Sequence, residues 1–154
     1  MTESNFVNHA PQLPTSTPRF ALYFVRFALA ASFLSAVADR FGLWGAAGTG
    51  EVSWGEFQSF LEFTSLLLWF LPEPLVVFCG WAATILEIVL AVGLITGIQL
   101  RAVALGSCLL LLTFALCMTF GTGPEGPLSF SVWTASAASL LLATHPQLHT
   151  PAAA

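Results

Sequence analysis

Residues 75–96 read LVVFCGWAATILEIVLAVGLIT, 22 residues that are apolar or small but for one acid. A run of this length matches the roughly 20 residues that carry a helix across ~30 Å of hydrocarbon. A carboxylate inside such a run is costly, and Glu87 therefore needs a partner or a task. Gly80, Thr84, Glu87 and Ala91 recur at helical spacing, which places the acid on a stripe of small and polar residues. Stripes of this kind let membrane helices approach closely. Gly93 and Gly97 extend the theme as a G-x-x-x-G pair.

Working outward, three further apolar runs appear at 20–38, 102–120 and 128–144. The 154-residue chain is 56% hydrophobic and only 8% charged. Soluble domains carry about 25% charged residues, so this composition cannot cover a soluble surface. The expected fold is an all-α integral membrane protein, a four-transmembrane-helix bundle occupying 19–145. Residues 1–18 are Pro-, Ser- and Thr-rich and read as a disordered polar tail, and 146–154 as a second short tail. Ala36-Val37-Ala38 mimics a signal-peptidase site. The long, slightly acidic tail before it and Arg26 inside the run favour an uncleaved first span.

The connection between spans one and two is long. Residues 42–55 hold five glycines and read as loop, whereas 54–71 place Phe57, Phe60, Leu61, Leu67, Leu68 and Leu71 on one helical face. Glu56, Ser59, Glu62 and Ser65 fall opposite, and Pro72 and Pro74 end the pattern. This predicts an additional amphipathic interfacial helix between spans one and two. Arg19 and Arg101 on one side, with most loop acids on the other, place both termini in the cytoplasm by the positive-inside rule, with Arg40 dissenting.

Arg26 lies inside the first span, and counting 1.5 Å per residue from the cytoplasmic ends puts it ~10 Å deep, against ~13 Å for Glu87. The matched depths predict a buried polar pair, Arg26 with Glu87, with Ser107 and Ser139 at a similar level. A snorkelling Arg26 is the alternative. Asp39 and Arg40 end the first span. With Trp44 and Trp54 they would shape an outer mouth, suited to a flat apolar ligand under an aromatic cap; as an interfacial anchor they would do less.

Several chemistries are excluded by residue type. There is no buried His pair for haem, no span with two metal-spaced ligands, no P-loop, no dinucleotide fingerprint and no nucleophile elbow. With four Arg and no Lys there is no basic patch for nucleic acid. Cys79, Cys108 and Cys117 sit in apolar runs and read as small buried hydrophobes. No cofactor is evident from the residues.

The segments ADRFGLWG (38–45), VSWGEF (52–57), the Glu87 span and SVWTASA (131–137) resemble the DoxX family of small bacterial membrane proteins, over about residues 19–144. The resemblance implies a bacterial inner-membrane protein of four helices. Some of that family are named as the small subunit of a thiosulfate–quinone oxidoreductase, and others resemble partners in membrane redox or thiol-stress complexes. It also implies an intramembrane acid in span two, matching Glu87, and an arginine in span one, matching Arg26. Quinone enters as a cofactor only by this resemblance. The leading expectation is a non-catalytic accessory subunit of a quinone-linked membrane oxidoreductase system. The alternatives are a carrier for a small solute or proton, or a structural protein with the Arg–Glu pair as a register lock. Expected partners are the lipid bilayer and either a membrane redox complex or further copies of the chain.

Overall fold

The computed structural model describes residues 19–145; the two predicted tails lie outside them. Every regular element among the described residues is helical: α1 (Arg19–Arg40), α2 (Phe57–Leu67), α3 (Glu73–Thr96), α4 (Leu100–Thr122), α5 (Glu125–Ser129) and α6 (Val132–Thr144). Helices α1, α3 and α4 are long and apolar enough to cross a membrane. Their outward faces expose Phe20, Phe78, Val89, Leu109 and Phe120, among others. Water would penalise that surface and lipid would not, so the chain is a membrane protein.

The helix ends follow from local chemistry. Pro72 precedes α3 and Pro74 lies in its first turn, where no intrahelical N–H is needed. Gly97, left-handed at φ 77°, closes α3 by donating to the Gly93 carbonyl. α1 closes with a Schellman motif: Leu43 N–H donates to Ala38 O at 3.0 Å and Gly42 N–H to Asp39 O at 3.0 Å. Gly42 takes φ 72° there, which any side chain would resist.

Helices α1 and α3 run antiparallel, as do α3 and α4. One end of the bundle therefore carries the α1–α2 loop and the start of α3. The other, the termini end, carries the start of α1 and the α3–α4 turn. Toward the termini end the bundle is closed. Leu29, Ala30 and Phe33 pack there with Leu90, Ala91, Leu94, Ala104, Leu142 and Ala143. Four buried alanines, Ala30, Ala91, Ala104 and Ala143, bring the backbones together. This suits a bundle in lipid, where van der Waals contact rather than water exclusion holds helices.

Two expectations are revised. The run 128–144 is not one continuous helix. It breaks at Phe130–Ser131, where Ser131 takes φ 56°, and leaves α6 with 13 residues. At 1.5 Å per residue α6 alone is ~20 Å long, short of the hydrocarbon thickness. The predicted amphipathic helix is shorter than 54–71, because Trp54 and Gly55 are held in the preceding loop and Leu68–Leu71 leave the helix as a turn. Its buried side, centred on Phe60 and Thr64, packs across α3 and α4 at the loop end. Gly80 and Gly121 make this approach feasible, since a Cβ at either would press on Leu61 or Leu67.

Candidate functional site

Helix geometry decides which charges meet. Side chains lean toward the N-terminus of their own helix. Arg40, in the last turn of α1, therefore leans back into the bundle. Glu87, on antiparallel α3, leans toward the loop end. The two meet: Arg40 Nη2 donates to Glu87 Oε1 at 2.8 Å, and Arg40 Nη1 lies 2.7 Å from Glu87 Oε2. Arg40 Nη1 also donates to Thr84 Oγ1 at 2.9 Å, and that hydroxyl donates onward to the Gly80 carbonyl. Arg40 is 4% and Glu87 1% exposed. The Phe60 ring covers the guanidinium, 3.9 Å from Cζ to centroid, a cation–π contact of the kind worth ~2 kcal/mol when desolvated. Among the described residues, Arg40 Nε has no hydrogen-bond partner although it is buried.

The expected Arg26–Glu87 pair is thus corrected. Arg26 leans the other way, toward the termini end. Its Nε donates to Leu94 O at 2.9 Å and its Nη2 to Ile95 O at 3.2 Å. These are carbonyls of the last turn of α3, which lack partners within their own helix. Arg26 caps that helix, seated against Gly97 and near the Tyr23 ring. The polar layer through Ser107 and Ser139 does not form either: both hydroxyls donate to carbonyls four residues back on their own helices.

Asp39 has a separate task. Its carboxylate accepts from the backbone N–H groups of Ser53 (3.2 Å), Trp54 (3.0 Å) and Gly55 (3.3 Å). An acid in the last turn of a helix opposes the macrodipole; three donors from the loop offset that cost and tie the loop back over α1. Trp44 donates from Nε1 to the Ser35 carbonyl and hydroxyl, both at 3.1 Å. Trp54 packs at a tilt against Phe63 with centroids 4.8 Å apart, and Phe57 against Trp81 at 4.3 Å. These rings roof the loop end.

Beneath that roof the bundle opens into a cleft of about 1700 Å³ bounded by α1, α2, α3, α4, the start of α6 and the loop. Asp39, Arg40, Trp44, Trp54 and Glu87 all line it; Arg26 does not. Along α1 the lining runs from Phe24 to Arg40, which is roughly 24 Å of helix. The charged groups Asp39, Arg40, Glu51 and Glu87 gather toward the loop end, while the opposite stretch is walled by Phe24, Val25 and Leu29 with Leu110 and Leu111 across from them. Cys79 and Cys117 also border the cleft as free thiols. Among the described residues no cluster of His, Cys, Asp and Glu is placed to hold a metal ion.

Sequence reasoning found Glu87 and misassigned its partner. Phase does not separate the two arginines, since Arg26 and Arg40 lie on one face of α1 with Ala30, Phe33 and Val37; the missed signal was the direction in which each side chain leans along its helix. Together the described residues define a membrane protein with an apolar cleft, open at its side, and a buried ion pair at its polar end. Comparison with protein-family models, with curated proteins and with solved structures gives no match.

Proposed function

We propose that this protein binds a small, mainly apolar molecule within the membrane and serves as an accessory, non-catalytic component of a quinone-linked oxidoreductase system in the bacterial inner membrane. The observation that carries the binding half of this reading is the cleft. Ligand sites are concave, mostly apolar and furnished with a few placed polar groups, and the cleft has that character, with Arg40, Glu87 and Asp39 at one end. The redox half rests on the resemblance of 38–45, 52–57 and 131–137 to DoxX sequences, and is an analogy of sequence.

In this reading α5, the Phe130–Ser131 turn and α6 act as an interrupted fourth span. Irregular backbone is tolerated at membrane depth where it borders a cavity, and Phe130 and Ser131 do border the cleft. α2 lies at the interface and roofs the site. Arg19 and Arg101 support a cytoplasmic termini end by the positive-inside rule, with Arg40 dissenting.

The test is binding of a benzoquinone with a decyl chain to the purified full chain in mild detergent, followed by tryptophan fluorescence, since Trp44 and Trp54 border the cleft. Saturable quenching that is lost in Ala83→Phe, which fills the cleft, supports the reading. Quenching that rises linearly with probe and is identical in both proteins rejects it. The register-lock reading has its own support, because Thr84 and Phe60 complete the surroundings of the Arg40–Glu87 pair. It predicts no saturable binding at all.

A further inference from the structure

The shape and charge of the cleft specify the kind of molecule it takes. At about 1700 Å³ it exceeds the 300–1,000 Å³ of ordinary small-molecule pockets. It is also elongated along one wall: its lining follows α1 for roughly 24 Å and α3 and α4 for about half that, so the far stretch is a groove along α1 open at its side, and its polarity is graded from Arg40 and Glu87 at one end to Phe24 and Val25 at the other. That is the outline of a long-chain amphiphile, not of a compact solute. The head end is defined by a buried pair of opposite charges. The two charges neutralise each other, so a carboxylate, phosphate or ammonium head would be desolvated there without a counter-charge of its own. An uncharged head avoids that cost. Arg40 Nε–H, buried and without a partner among the described residues, is a donor left over for an oxygen acceptor.

We infer that the cleft holds a long-chain amphiphile with an uncharged, oxygen-bearing head, oriented with its head at Arg40–Glu87 and its chain running along α1 toward Phe24. This rests on the proposal that the cleft binds a ligand, and narrows it to a class and an orientation. An isoprenoid quinone or quinol and a neutral glyceride share this chemistry.

The experiment is photolabelling of the purified full chain with hexadecyl probes that differ only in head group: alcohol, carboxylate or trimethylammonium. Each is made with its diazirine either near the head or at the chain end, and labelled residues are mapped by mass spectrometry. The expected result is at least tenfold more labelling of cleft residues by the alcohol than by either charged probe. The head-proximal diazirine should mark the stretch 36–40 and the chain-end diazirine Leu29, Leu110 and Leu111, which line the cleft away from lipid. Displacement of the alcohol by decyl-benzoquinone, or instead by dioctanoylglycerol, supports the class and says which source supplies it. Displacement by neither overturns it. Cleft labelling with no head preference, or with the two positions reversed, overturns this inference and leaves ligand binding standing. Labelling confined to lipid-facing residues such as Ile85 and Val89 overturns both.

Discussion

Arg40 and Glu87 form the least expendable pair in the chain. Removing one member of a buried ion pair leaves a bare charge and typically costs 3–5 kcal/mol, whereas replacing both with apolar residues of similar volume is often neutral or stabilising. Arg40→Met alone should therefore lower the thermal unfolding midpoint sharply, and Glu87→Met should do the same. The double variant should recover most of the loss. A double-mutant cycle in detergent measures this, and simple additivity of the two losses would mean that the pair does not exist. Arg26 makes a milder prediction. Arg26→Gln removes donors from two exposed-end carbonyls of α3 and should cost about 1 kcal/mol, with no effect on the Arg40–Glu87 cycle. The reason the sequence pointed to Arg26 is instructive. Cα depth alone matched it to Glu87, but an arginine reaches several ångströms along its helix, and both side chains lean by rules that depth counting omits. Glu87, Asp39, Arg40, Trp44 and Trp54 were all legible as unusual residues; which of them touch was not.

At the level of elements, α1 and its loop behave as one piece because Asp39 binds the loop backbone at three points. Hydrogen bonds to a charged group contribute about 1.5–3 kcal/mol each when they can be isolated. Asp39→Ala should release the segment 42–56 while leaving α1, α3 and α4 helical. Limited proteolysis should then cut within 42–56 several-fold faster than in the wild type, with unchanged far-ultraviolet circular dichroism. Equal cleavage rates would show that the loop is held by other contacts. Gly55 reinforces the point: it sits at φ 69°, and a Cβ there would enter the backbone of Ala46 and Ala47. The three long helices were readable from apolar run length, and α2 from its amphipathic spacing. The break before α6 was not, because no proline or glycine stands at Ser131 to mark it, and the left-handed turn is imposed by the bundle around it.

For the whole molecule, the decisive contrast lies between its two halves. Small residues such as Ala30, Ala91 and Ala104 close the termini half, and α3, α4 and α6 line the cleft only in the loop half, while α1 carries its lining on toward Phe24. Nothing in the periodicity of single helices reports such a cleft, since it depends on how five segments pack and on α2 lying across their ends. Packing at the closed half sets this arrangement. Ala91→Phe should force α1 from α3 and destabilise the fold by about 1–3 kcal/mol, whereas Ala83→Phe, which points its bulk at open space, should leave the unfolding midpoint within a few degrees of wild type. Comparing the two midpoints checks the division directly. The central claim is that the buried pair is the polar end of a binding cleft and not only a lock between α1 and α3. The most direct test is the affinity of the Arg40→Met/Glu87→Met double variant for decyl-benzoquinone, measured beside its unfolding midpoint. The account predicts a folded protein with affinity at least tenfold weaker than wild type. A folded double variant with unchanged affinity would contradict it.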